Sequence, residues 1–305
     1  MSGPATSPGS VTFEVTHRTE YEYDSPVVAG YSIAHLVPRS FPGQSCIRST
    51  VAVDPAPGEQ SERRDYFGNR ATWFSMHDRH HHLTVTATSV VERVVPEPGS
   101  FPGGDTDPSP WSDAVVALHT DPDPEGLLAR EFALESPLVP RLAVLEEYAR
   151  ESFAGSRPLL DAALDLSARI FRDFAYVPGA TSTATRLDEV LRERRGVCQD
   201  FAHFGIGCLR MLGIPARYVS GYLETAPAPG HHKLVGADAS HAWLSVYVPR
   251  AGWVDLDPTN DTVPDERYVT TAWGRDYSDV APLKGVVFSG TGRHGLKVAV
   301  DVVRL

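Results

Sequence analysis

The sequence predicts an α+β protein: an antiparallel β-domain first, then helices, then a second group of antiparallel strands. Three observations predict it. Residues 11–95 alternate apolar and polar side chains in short runs. The stretch 96–110 is dense in Pro, Gly, Ser and Asp. From 111 the apolar spacing becomes helical before returning to strand-like runs. Helices and strands in blocks, rather than in βα alternation, indicate α+β packing instead of a doubly wound parallel sheet.

In the first block, VTFEVTHRTEYEYD (11–24) places Val11, Phe13, Val15, Tyr21 and Tyr23 at the two-residue period of a strand. CIRSTVAVDP (46–55) and HHLTVTATSVVERVV (81–95) are rich in Val and Thr, residues that favour extended backbone. Asp24-Ser25-Pro26, Phe41-Pro42-Gly43 and Phe67-Gly68-Asn69 read as turns between strands. Several short strands between such clusters predict a sandwich or a similar small antiparallel domain over 11–95. PEPGSFPGGDTDPSP (96–110) supports neither helix nor strand and reads as a linker to a unit spanning 111–305.

In that second unit, RLAVLEEYARESF (141–153), LLDAALDLSARIFRDF (159–174) and RLDEVLRERR (186–195) carry helical spacing. VCQDFAHFGIGCLRMLG (197–213) is an apolar helix stopped by Gly213 and Pro215. Strands follow: ARYVSGYLE, SHAWLSVYVP and GWVDLDP, then VVFS and LKVAVDVVRL at the end.

Composition narrows the function. The 305 residues carry 28 basic against 39 acidic side chains, a net charge of −11, and 42% are hydrophobic. That apolar fraction supplies a core and excludes a disordered chain. A net anion lacks the cations that neutralise phosphate, so nucleic acid is not an expected partner. Three cysteines with no CxxC pair exclude a disulfide framework and a zinc ribbon. No apolar run approaches the ~20 residues of a membrane helix. MSGPATSPGS lacks the basic region and apolar core of a signal peptide. The expectation is a cytoplasmic protein without a membrane partner, with three thiols to explain.

Cys198 opens the apolar helix. Unpaired backbone N–H groups and the positive end of the macrodipole favour a thiolate there. The same N–H groups suit the oxyanion of an acyl-transfer intermediate. His241 begins one strand and Asp257 ends the next, across Pro249-Arg250-Ala251-Gly252. An odd-numbered loop puts the two side chains on one face as diagonal neighbours, and a two-residue loop sends them to opposite faces. The sequence leaves this register open. With the odd loop, Cys198 is the nucleophile, His241 its base and Asp257 the acid that orients the imidazole.

At these residues the sequence resembles the bacterial transglutaminase-like proteins. Gly196-Val-Cys-Gln-Asp-Phe-Ala-His203 and Leu212–Leu223 look like that family's core. Ser240-His-Ala-Trp243 and Gly252–Asn260 match its histidine and aspartate motifs. Asp173–Tyr176 and Arg275–Gly285 fit as well. Tyr21-Glu22-Tyr23, Leu36–Arg39, Gln44 and Asp65–Asn69 resemble its N-terminal β-domain. The resemblance implies a papain-like core with a Cys-His-Asp triad at Cys198, His241 and Asp257, needing no metal and no organic cofactor. The resemblance does not choose the reaction; the expectation is acyl transfer on amide or isopeptide bonds of a peptide or protein substrate, with hydrolysis favoured. A cross-linking protein-glutamine transglutaminase and a non-catalytic peptide-binding scaffold are the alternatives.

Other residues invite plainer readings. Asp255 shares strand parity with Asp257 and is its rival, with a solvated place on the hairpin expected. Cys208 lies about 15 Å along the helix from Cys198, beyond disulfide reach, and Cys46 sits in a Val/Ile-rich strand; both read as packing residues. His80, His81 and His82 alternate faces if extended, so they do not converge on one ion. His203 reads as a packed or hydrogen-bonded histidine, and Trp243 and Trp253 as core or channel wall. His231-His232 lies in a loop that could border the site.

Overall fold

A 25-residue strand, β1 (Ser10–Ala34), organises the N-terminal part of the computed structural model, which describes residues 9–95, 108–120, 123–225, 240–290 and 294–305. It is followed by β2 (Gln44–Asp54), β3 (Glu59–Arg64), β4 (Arg70–Met76) and β5 (His80–Val94). Asp24-Ser25-Pro26 does not turn the chain. The pairing with β5 slips between Glu22 and Val27, so these residues form an irregularity inside a continuing strand. Proline offers no ladder N–H, and such irregularities are where a strand tolerates it.

The helical block contains α1 (Trp111–Thr120), α2 (Pro124–Ala129) with a 3-10 turn at Arg130–Ala133, α3 (Ala143–Ser152) and α4 (Leu159–Asp173). A short parallel pair, β6 (Ala175–Tyr176) and β7 (Arg195–Gly196), brackets α5 (Leu187–Glu193). Then come α6 (Cys198–Met211), β8 (Ala216–Leu223), β9 (Ser240–Val248), β10 (Gly252–Leu256), β11 (Tyr268–Gly274) and α7 (Tyr277–Val280). The chain closes with β12 (Leu283–Ser289) and β13 (His294–Arg304).

Sequence order assigns the last two strands to the 111–305 unit, but their ladders assign them to the first sheet. β12 pairs with Val27–Ala34 and β13 with Phe13–Tyr23, both antiparallel. Val27 and Phe13 are each paired on both sides, with β5 across from β12 and β13. The two C-terminal strands thus fill the second edge of β1, satisfying backbone groups that no other described strand reaches. The result is one seven-stranded antiparallel sheet built from both ends of the chain. The expected linker at 96–110 falls mostly outside the described residues.

The second sheet has the order β10-β9-β8-β11. On it lies α6, buried on almost every side from Asp200 to Arg210, as a helix apolar all round must be. Its far end is tied down by Arg210, which donates to the carbonyls of Phe132 (2.8 Å), Ala216 (2.9 Å) and Arg275 (2.6 Å).

Two side-chain amides join the sheets at β11. Gln44 Nε2 donates to the Thr270 carbonyl at 2.7 Å, and its Oε1 accepts from the Thr270 N–H at 2.9 Å. Asn69 repeats the arrangement at Trp273, donating at 2.9 Å and accepting at 3.0 Å. β11 slips register between Thr270 and Ala272 in its pairing with β8. At that edge the two amides stand in for a missing strand. Asp65 holds Asn69 in place through its N–H and Nδ2, both at 2.7 Å. An apolar cluster of Phe13, Val15, Val91, Val300 and Val302 with Tyr222 and Val269 seals the junction.

Candidate active site

The start of α6 is organised by Gly196 and Asp200. Asp200 Oδ2 accepts from the Val197 N–H at 2.8 Å and from Thr181 Oγ1 at 2.6 Å. It thereby satisfies one backbone donor at the helix start. Burial raises the Asp200 pKa, against the pull of these two hydrogen bonds. A Cβ on Gly196 would lie 2.8 Å from Asp200 Oδ2, so glycine is what lets the carboxylate fold back. Further along, a Cβ on Gly205 would stand 2.5 Å from Leu244 Cδ2 of β9. Each helical glycine costs about 1 kcal/mol of propensity relative to alanine, and here it admits close approach of helix to sheet. That approach sets the half-buried Cys198 against the beginning of β9.

The hairpin settles the register that the sequence leaves open. Val248 pairs with Gly252 and Leu244 with Leu256, so residues 249–251 form a three-residue connection. Arg250 there adopts the left-handed conformation at φ 70°. Continuing the ladder puts Asp257 diagonal to His241 on one face. His241 Nε2 donates to Asp257 Oδ2 at 2.7 Å. The Cys198 thiol is the other hydrogen-bond partner of the imidazole, and Nδ1 is the nitrogen left to it.

The carboxylate is surrounded by donors. Asp257, fully buried, accepts at Oδ2 from His241, from Asn260 Nδ2 at 2.7 Å and from Tyr268 Oη at 2.8 Å. Its Oδ1 accepts from the Thr259 N–H at 2.9 Å. Burial alone would raise its pKa, but His241, Asn260 and Tyr268 hold it below the usual carboxylate value. Burial likewise opposes a charged His241. The hydrogen bonds to Asp257 and Cys198, with the charges of both, outweigh it and lift the imidazole to about 10. A thiol, an imidazole and a carboxylate in this order can pass a proton from sulfur to nitrogen and hold the resulting ion pair.

Beneath the imidazole lies Trp243, wholly buried, with ring centroids 6.0 Å from His241 and 5.3 Å from Tyr268. It is packing and not a channel wall. The room comes from Gly221, where a Cβ would sit 2.6 Å from the indole and 2.2 Å from the Val269 carbonyl oxygen. Trp243 Nε1 donates to Asp255 Oδ2 at 3.1 Å. Asp255 is therefore not the solvated hairpin residue expected. It is half-buried and faces Arg217, whose pKa burial pulls down to about 9 while Asp255 opposes the fall. Trp253 is half-buried, with the Arg217 guanidinium 4.2 Å from its ring.

The remaining sequence candidates lie elsewhere. His203 is buried and neutral, its Nε2 accepting from the Tyr277 N–H at 3.0 Å, and burial lowers its pKa to about 4. Cys208 is fully buried. Cys46 is only half-buried, with Arg70 Nη1 donating to its sulfur at 3.6 Å. His80 Nδ1 meets the Asp78 carbonyl at 2.8 Å, while His82 lies 3.6 Å from Asp54, so the histidine run disperses. His231 and His232 lie outside the described residues. Sequence reasoning missed Asn260 and Tyr268. Asn260 stands in the same Asp-Pro-Thr-Asn run as Asp257, whereas Tyr268 carries no local signal.

Comparison with known proteins agrees with this architecture. The model of the bacterial transglutaminase-like N-terminal region matches residues 13–92, and that of the transglutaminase-like superfamily matches 146–258. An uncharacterized protein of Mycobacterium tuberculosis is 42% identical over 299 residues, covering 97% of this chain and 93% of its own. One from Mycobacterium leprae is 36% identical, covering 95% and 98%. A protein-glutamine gamma-glutamyltransferase of Pseudomonas aeruginosa is 32% identical over 190 residues, 60% of this chain and 28% of that one. Among solved structures, a candidate cysteine protease from Cytophaga hutchinsonii superposes with a TM-score of 0.74 at 22% identity, covering 97% of this chain and 91% of that one, a likeness of fold. No described helix is long and apolar enough to cross a membrane. Matched in both parts and over nearly its whole length, the chain belongs to the bacterial transglutaminase-like family, a family of cysteine-based enzymes.

Proposed function

We propose that this protein is a cysteine-dependent acyl-transfer enzyme that cleaves amide or isopeptide bonds of a peptide or protein substrate. One observation carries the reading: His241 is bonded on one side to a buried carboxylate at 2.7 Å and on the other to the Cys198 thiol. In this reading Cys198 Sγ attacks the substrate carbonyl carbon while His241 holds the thiol proton. The departing amine takes that proton, leaving a thioester on Cys198. His241 then removes a proton from water, which adds to the thioester and frees the acid. Asp257 keeps the imidazole oriented and favours its charged form. Water needs no binding site, whereas an amine acceptor must be held, so hydrolysis is the favoured outcome.

The second reading is transfer to an amine, and similarity to the Pseudomonas aeruginosa gamma-glutamyltransferase over 190 residues favours it. Both readings share the thioester. The test is to trap that thioester with a peptide library, then compare water with a fluorescent primary amine as acceptor. Cys198→Ala is expected to abolish product while keeping the fold by circular dichroism. Undiminished turnover in that variant refutes the proposal and leaves a binding scaffold.

A further inference from the structure

Three side-chain donors converge on one oxygen of the Asp257 carboxylate. His241 Nε2 lies 2.7 Å from Oδ2, Asn260 Nδ2 lies 2.7 Å from it and Tyr268 Oη 2.8 Å. The other oxygen, Oδ1, accepts from the Thr259 N–H at 2.9 Å. A carboxylate oxygen offers about two lone pairs, so three donors crowd Oδ2 and fix how it faces the imidazole. Turning the carboxylate away from His241 would break the bonds to Asn260 and Tyr268 as well.

The two neutral donors differ in what could replace them. Asn260 is exposed, so water can take the place of its amide. Tyr268 is 1% exposed. At the start of β11 it pairs with Leu223 of β8, and its N–H donates to the Asp265 carbonyl at 3.2 Å. Its ring meets Trp243 edge-on at 5.3 Å between centroids and lies 6.0 Å from His241. Burial and the charge of Asp257 raise the phenol's pKa, so it keeps its proton and serves as a donor. The titratable groups that face the carboxylate are His241 from β9 and Tyr268 from β11. Cys198 of α6 acts on the imidazole, and Asp265 on the phenol. Asp255 of β10 is turned to Trp243 Nε1 at 3.1 Å.

We propose that Tyr268 is the positioning residue of the triad's acid: its hydroxyl holds Asp257 Oδ2 toward His241 and keeps the carboxylate ionised to lower pH. This rests on the acyl-transfer reading above. Tyr268 acts through Asp257 alone and transfers no proton. Without its hydroxyl the carboxylate is more basic, and on acidification it takes up a proton sooner. His241 then loses its counter-charge, and the Cys198 thiolate that it supports is lost with it.

The test follows iodoacetamide labelling of Cys198 against pH in the full chain, read by mass spectrometry at the Cys198 peptide. Tyr268→Phe keeps the ring and removes the hydroxyl. Its acid limb is expected to move up by about 0.5–1 pH unit, about 3- to 10-fold slower labelling at a given pH on that limb. Asn260→Ala, where water replaces the amide, should move the limb less. Adding Tyr268→Phe to Asp257→Asn should move it no further. A limb that stays at its wild-type position overturns the proposal, even if the plateau rate falls, since a lower plateau alone reports packing. A larger shift in Asn260→Ala, or an equal Tyr268→Phe shift in the Asp257→Asn background, overturns it too. Cys198→Ala with p-nitrophenyl acetate separates the two levels. If that variant keeps the p-nitrophenolate burst, the acyl-transfer reading fails. If it loses the burst while the Tyr268→Phe limb is unmoved, only the role of Tyr268 fails.

Discussion

The two ends of β11 meet polar chemistry of different kinds. At its start Tyr268 donates to Asp257, in a cluster whose members carry charge. Farther along, Thr270 and Trp273 are met by Gln44 and Asn69, neutral amides that pair with backbone. Both clusters are buried and densely hydrogen-bonded. An amide that completes a strand fixes position without titrating, because donor and acceptor are both matched. A carboxylate and imidazole out of water pay a desolvation cost and gain reactivity that depends on pH. One end of the strand therefore holds the two sheets together, and the other holds the proposed chemistry.

The sharpest break in this comparison is Asp257→Ala. Turnover is expected to fall about 10⁴-fold, the loss typical when a base loses its orienting acid, and iodoacetamide labelling of Cys198 at pH 6 should slow markedly. Labelling as fast as wild type would contradict the role given to Asp257. Next comes Asn69→Ala, which strands the N–H of Trp273 and should cost about 2–3 kcal/mol in urea unfolding, with labelling per folded molecule unchanged. Gln44→Ala is the milder seam variant, about 1–2 kcal/mol.

The pH dependence distinguishes the two ends most finely. His241 titrates higher in the folded protein, near 10, than its ordinary 6.5. Its contribution to stability is thus complete below 6.5 and disappears as pH rises through about 10. Asp257 titrates lower than usual when folded. Its contribution is present above the ordinary carboxylate pKa and is lost as pH falls through the depressed one. The urea-midpoint gap between wild type and His241→Gln should therefore shrink from pH 6 to pH 10.5. The gap to Gln44→Ala should stay level, since Gln44 meets only backbone atoms. A His241→Gln gap that is flat with pH would deny the charged pair.

The sequence makes some of this plain and hides the rest for physical reasons. α6 is legible at both ends: the apolar run begins after Gly196, and Gly213 at φ 78° stops it. Cys198, His241 and Asp257 are legible because residue type and strand position both point to them. The hairpin register is not, because Arg250 shares the left-handed conformation with Gly252, and nothing in the residue type of an arginine marks it as a turn position. Asp255 looked solvent-bound because its partners, Trp243 and Arg217, come from other strands. The partner of the C-terminal strands is hidden for the same reason: period-two alternation identifies a strand without naming its neighbour.

That last pairing also bears on how the molecule is made and how it yields to force. Phe13 lies opposite Arg304, and the Leu305 N–H donates to the Thr12 carbonyl at 2.9 Å. During synthesis one flank of β1 stays bare until residues 283–304 leave the ribosome, so sheet closure comes late and by long-range contact, the slow kind. Tension applied through residues 10 and 305 would load this ladder at its extremity and peel it open one rung at a time. The first rungs to part would be those beside Phe13, Val300 and Val302, which help seal the two sheets together.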